Sequence, residues 1–148
     1  MLVGRRIAFD FGQVRIGVAI SDLSGMLASP LVTLKSRDES LSTHLSNLFV
    51  EYEPIYVVVG DPKHMSGEIS EKSKEARVFA ELIATVTSAR IFFIDERLTT
   101  VSALRALQDS GVNSKAARKR VDEAAAVAIL ESALTEERLS GSIGGVKL

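Results

Sequence analysis

Two short, uninterrupted apolar runs, Ile55–Val59 and Ile91–Ile94, constrain this chain most. Runs of this length, bounded by turn residues and, in the first, rich in β-branched side chains, fit strands buried on both faces of a sheet. Between them, from about Glu68 to Val86, the chain is patterned as a helix, with Ala76, Phe79, Ala80, Ile83 and Ala84 on one apolar stripe. The order strand, helix, strand requires a crossover connection, so these strands run parallel in an α/β sheet.

The N-terminal third has a different logic. Arg6–Asp10 and Arg15–Asp22 form a predicted hairpin around Gly12, which makes the sheet mixed. In the second strand Ile16, Val18 and Ile20 share one face, while Arg15, Gly17, Ala19 and Ser21 make the other unusually small and polar. Asp10 emerges where the first strand ends, so its carboxylate is expected to be accessible. Leu27–Leu34 is a third strand, which Pro30 confines to an edge or a bulge. Ser40–Tyr52 is helical through Leu41, Leu45, Leu48 and Phe49, and Pro54 closes it.

After the last strand, Thr99 or Thr100 caps a short helix running to about Gln108, with Gly111 placed beyond its end. Ser114–Arg120 is a basic connection or short helix. Asp122 opens a helix over Glu123–Glu136 that is apolar almost all round at Ala124–Leu130, the mark of deep packing against the sheet. The ending SGSIGGVKL reads as flexible, which divides the chain into one domain over 1–138 and a tail over 139–148.

A length of 148 residues suits a single domain, and 46% hydrophobic with 25% charged residues predicts a soluble globular protein. Cysteine is absent, which excludes disulfides, thiolate metal sites and cysteine nucleophiles. No window approaches the roughly 18 apolar residues of a membrane span, so no membrane association and a cytoplasmic location are expected. The net charge of −1 argues against a dedicated nucleic-acid coat but not against an enzyme in brief contact with its substrate.

His44 and His64 are the two histidines and have no ligand spacing, so both are read as surface residues. The acids say more. Asp10 ends the first strand, Asp95 and Glu96 end the last, and Asp122 starts the buried helix, so all can meet at one end of the sheet. Taken singly each has an ordinary explanation, as a turn residue, a helix cap or a partner of Arg97. Together they form an all-oxygen donor set suited to Mg²⁺ or Mn²⁺. Two such ions about 3.5–4 Å apart activate a water and stabilise the departing oxygen in phosphodiester cleavage. Arg15, Lys63, Arg97, Lys115, Arg118, Lys119 and Arg120, with the hydroxyls of Ser21, Thr99 and Thr100, are candidates for nucleic-acid phosphate contact.

Four ordered motifs spanning essentially the whole chain, FDFGQVRIGVAISD, VVVGDPKHMSGE, IDERLTTVSALRAL and RVDEAAAVAILESAL, resemble the YqgF family. That family is described both as Holliday junction resolvases and as pre-16S rRNA nucleases. The resemblance implies an RNase H-like three-layer fold, a five-stranded mixed sheet flanked by helices. It also implies metal-dependent endonuclease cleavage of structured nucleic acid, with processing of the 5′ end of pre-16S rRNA in ribosome biogenesis as the leading expectation. By motif position Asp10, Glu96 and Asp122 would be the catalytic and metal-holding acids, with Glu96 preferred over the adjacent Asp95, and Arg15, Lys63, Arg97, Thr99 and Thr100 would position the backbone. Where the family usually has an apolar residue, Asp61 adds another carboxylate, as a supplementary ligand or a turn residue before Pro62.

An actin-like ATPase would need a second domain closing on the nucleotide. A noncatalytic RNA-binding assembly factor would be expected to lose acids that are all present here. A junction resolvase acting on four-way DNA would use a homodimer to bring two sites to two strands, whereas trimming an RNA end needs only a monomer.

Overall fold

The computed structural model describes residues 2–109, 114–143 and 146–148. A six-stranded sheet is ordered β3-β2-β1-β4-β5-β6, with β1 Arg6–Phe11, β2 Arg15–Ser21, β3 Ala28–Lys35, β4 Tyr56–Asp61, β5 Arg90–Asp95 and β6 Val146–Lys147. Strands β1, β2 and β3 are joined antiparallel. β1, β4 and β5 run parallel, as the crossovers demand.

Two findings depart from the expected sheet and tail. Val146 pairs with Phe93 and Lys147 with Phe92, so part of the segment expected to be a free tail adds a sixth strand. The helix before it also continues past residue 138. A two-residue strand that pairs with a distant partner leaves no period to detect. Pro30 behaves as its chemistry requires, since β3 is an edge strand and its register with β2 shifts between Val18 and Ala19, where Pro30 enters the pairing.

The helices are α1 Leu41–Tyr52, α2 Glu71–Val86, α3 Val101–Asp109 and α4 Lys115–Ser140. α2 starts three residues later than its pattern predicts, because Ser70 is extended and its side chain accepts from the Ser73 N–H. Ala84 lies exposed beside the buried stripe of Ala76, Phe79, Ala80 and Ile83. α4 shows the larger difference. Ser114 caps it by accepting from the Ala117 N–H, and the good helix formers that follow carry one continuous helix through the basic segment. Asp122 therefore sits inside α4 and does not start it. Gly111 lies outside the described residues.

The three layers follow from side-chain alternation. Ile7, Phe9, Ile16, Val18, Val57, Val59, Ile91 and Phe93 pack under α1 and α2. Ala8, Ala19, Tyr56, Val58 and Ile94 face Ala125, Ala126, Ile129, Leu130 and Ala133 of α4, together with Val101. Alanines on both sides, Ala8 and Ala19 on the sheet and Ala125, Ala126 and Ala133 on the helix, let the two approach closely. At Gly17 a Cβ would stand 2.1 Å from the Asp122 carbonyl oxygen, so only glycine lets α4 seat this close. Arg6, fully buried, bonds Glu137 at 2.7 Å and ties β1 to the far end of α4. Tyr56 also donates to Glu137, at 2.8 Å. Among the described residues no helix is long and apolar enough to cross a membrane.

Candidate active site

The carboxyl ends of β1, β4 and β5 lie side by side, and each delivers an acid. Asp10 near the end of β1 and Asp61 at the end of β4 are 6% and 2% exposed, so Asp10 is buried and not open to solvent as its strand-end position had predicted. At the end of β5 the chain turns into a single 3₁₀ turn, Glu96–Leu98, capped by the Asp95 side chain, which accepts from the Arg97 N–H. This turn separates the neighbouring acids. Asp95 is held by the Arg97 guanidinium at 2.6 Å, whose hydrogen bonds keep its carboxyl below the usual range. Glu96 turns inward and is buried. Gly60 makes room for it, since a Cβ there would lie 2.9 Å from Glu96 Oε2.

Arg105, on α3, joins two of these acids. One guanidinium nitrogen stands 2.7 Å from Asp10 Oδ1 and 3.0 Å from Glu96 Oε1. Asp122 approaches from α4 and bonds Arg15 Nε at 2.5 Å. Asp10, Arg15, Lys72, Arg105 and Asp122 share a cleft of about 300 Å³. Burial raises the carboxyl of Asp10, and Asp122 adds to the rise while Arg105 opposes it. Burial also pushes Glu96 up to about 7, Arg105 again opposing and the charges of Asp10 and Asp61 reinforcing. Asp61 is bonded by Arg77 at 3.3 Å, yet its second oxygen is buried without a partner.

The acids predicted for the site thus divide. Asp10 and Glu96 share a partner, Asp122 lines the same cleft as Asp10, Asp61 adds its charge to Glu96, and Asp95 is turned away with Arg97. Among the predicted phosphate-binding residues, Arg15 lines the cleft. Lys63 is half-buried just past β4, and Arg97 also bonds the Met65 carbonyl at 3.2 Å. Thr99 caps locally, its hydroxyl donating to the Glu96 carbonyl at 2.7 Å and accepting from the Val101 N–H. Thr100 is exposed, and its carbonyl accepts the Leu104 N–H. Lys115 and Lys119 line a neighbouring groove, while Arg118 is half-buried and Arg120 exposed. Ser21 is buried and bonds backbone at the other end of the sheet. His44 pairs with Asp38 at 3.3 Å, and His64 is exposed.

Sequence reading passed over Arg105 and Lys72. Arg105 stands alone on α3 and Lys72 is followed by Lys74 and Arg77 on α2, so neither has a local pattern that separates it from solvated charge.

Among the described residues no three acids or histidines surround one point closely enough to hold an ion as placed. The residues nevertheless suit one. The donors are all oxygen, two acids are raised chiefly by burial and further by neighbouring carboxylates, Asp61 keeps an orphaned oxygen, and a cationic side chain already stands between Asp10 and Glu96.

A mixed sheet clad by helices on both faces, with acids gathered at its carboxyl edge, has the architecture of the RNase H-like fold. A family model described as RuvX, Holliday junction resolvase, matches residues 4–136, and the chain belongs to that family. A Streptomyces avermitilis protein named "Putative pre-16S rRNA nuclease" is 44% identical over 144 residues, covering 96% of this chain and 92% of that protein. A Streptomyces coelicolor protein of the same name is 45% identical over 140 residues, covering 93% and 84%. The solved structure of T. thermophilus RuvC in complex with a Holliday junction substrate shares the fold, with a TM-score of 0.63 at 15% identity, covering 98% of this chain and 99% of that one.

Proposed function

We propose that this chain is a divalent-metal-dependent endonuclease whose substrate is the 5′ extension of pre-16S rRNA. The observation that carries this reading is the burial of Asp10 and Glu96 against one guanidinium, that of Arg105, which lines a cleft with Asp10 and Asp122. Burying such acids costs folding energy that a purely structural role would not require. Asp10, Glu96 and Asp122 would hold Mg²⁺ or Mn²⁺, as a pair of ions, with Asp61 in support. Bound there, the ions supply an activated water and charge stabilisation at the departing oxygen. Arg105 offsets part of the negative charge of Asp10 and Glu96. Arg15 and Lys72 present positive charge to a phosphate entering the cleft, and the bond from Arg15 orients Asp122.

The names of the relatives favour RNA, and the family description favours a four-way DNA junction as the second reading. Incubating the wild-type protein with a 5′-extended 16S precursor and, separately, with a synthetic four-way junction, each in magnesium or manganese, distinguishes them. Cleavage of the RNA at the mature 5′ end is expected. Symmetric nicking of the junction with the RNA left intact would overturn the RNA assignment and favour a cytoplasmic recombination role.

A further inference from the structure

Beyond the acids lies a second concavity of about 760 Å³, lined by Val14, Arg15, Thr33, Leu34, Lys35, Arg37, Asp38, Lys115 and Lys119. Its position follows from topology. β3 runs parallel to β1, so Lys35 at its end reaches the same edge of the sheet as Asp10, and Lys115 and Lys119 lie on the part of α4 leading to Asp122. The groove meets the acidic cleft at Val14 and Arg15, which line both.

Its charge is one-sided. Among the described residues none of Lys35, Arg37, Lys115 and Lys119 is held in a salt bridge, and all are exposed. The neighbouring acids are already engaged. Asp38 takes His44 at 3.3 Å and the Ser40 N–H at 2.8 Å, and Glu123 takes the Thr33 hydroxyl at 3.2 Å. In a chain of net charge −1, a concentration of free cations beside a nuclease cleft marks where a polyanion lies.

Resting on the nuclease reading, we infer that this groove tracks the single-stranded segment of the nucleic acid that flanks the scissile phosphate. A groove with aliphatic lining from Val14 and Leu34 and cations from both β3 and α4 fits a chain whose sugars lie within and whose phosphates face the rims. Among the described residues no aromatic side chain lines it, so the track holds the backbone through its phosphates and offers the bases no stacking platform.

Fluorescence anisotropy with a short single-stranded RNA, in EDTA so that binding is read without cleavage, tests this. Lys35→Glu/Arg37→Glu and Lys115→Glu/Lys119→Glu are each expected to weaken binding by about tenfold or more and to flatten the salt dependence by about 1.4 in log–log slope, at about 0.7 per phosphate contact. Arg90→Glu, at the opposite end of β5, is expected to bind like wild type, and circular-dichroism melts are expected to match throughout. The milder Lys35→Gln/Arg37→Gln is expected to give a smaller loss in the same direction.

Wild-type affinity and salt slope in both groove pairs would overturn the inference. So would a blunt duplex of the same length that binds as tightly and loses as much. Cleavage that depends on Asp10 while the groove variants bind normally would remove the groove alone. Groove-dependent binding by a protein that never cleaves would remove the nuclease reading and leave the groove.

Discussion

Glu96 carries the sharpest consequence of burial among the site residues. Its carboxyl is pushed from 4.5 to about 7, chiefly by burial, so the folded chain keeps a proton that the unfolded chain releases between those values. Stability therefore falls as pH rises through that window. Glu96→Gln, fixed neutral, escapes this cost. In metal-free buffer it is expected to be more stable than wild type by about 1–3 kcal/mol at about pH 8, the gain fading to nothing near pH 4. Urea unfolding at both pH values checks it, and a variant less stable than wild type at both would contradict the assignment of Glu96 as a strained, charged site residue. Strand position alone put Glu96 and Asp95 together at a strand end, and only the motif resemblance preferred Glu96. The separation depends on a 3₁₀ turn that Asp95 itself caps. Asp10 was legible as a strand-end acid, whereas its burial was not, because the covering groups come from α3 and α4, far along the chain.

The position of α4 decides whether Asp122 reaches the site. Its approach rests on the small face of β1 and β2, and Gly17 is the tightest point, against the Asp122 carbonyl. Gly17→Ala is expected to destabilise the fold by about 1–3 kcal/mol, because the obstructing atom is backbone and cannot rotate away. Cleavage is expected to fall further than stability, since the same displacement carries Asp122 off the cleft. Thermal melts and single-turnover rates measured together would show this, and unchanged cleavage in a destabilised variant would sever Asp122 placement from Gly17. The small face was legible from the two-residue period of β2, and so was the buried helix that it receives. The start of α4 was not, because Asp122 is itself a good capping residue type, whereas the cap in the folded chain is Ser114.

For the whole molecule, parallel central strands with an antiparallel hairpin were legible from run length, periodicity and the need for a crossover. β6 was not, because its pairing with β5 is made only in three dimensions. The same limit hid Arg105, whose partners Asp10 and Glu96 lie on two different strands. The fold brings acids from β1, the end of β5 and α4 into one neighbourhood, and their joint action in cleaving a phosphodiester is the central claim. Single-turnover cleavage of a 5′-extended 16S precursor in magnesium or manganese, by wild type, Asp10→Asn and Asp122→Asn, tests it most directly. Both variants are expected to fold and to lose about 100-fold or more in rate. Equal rates in the wild type and both variants would contradict it.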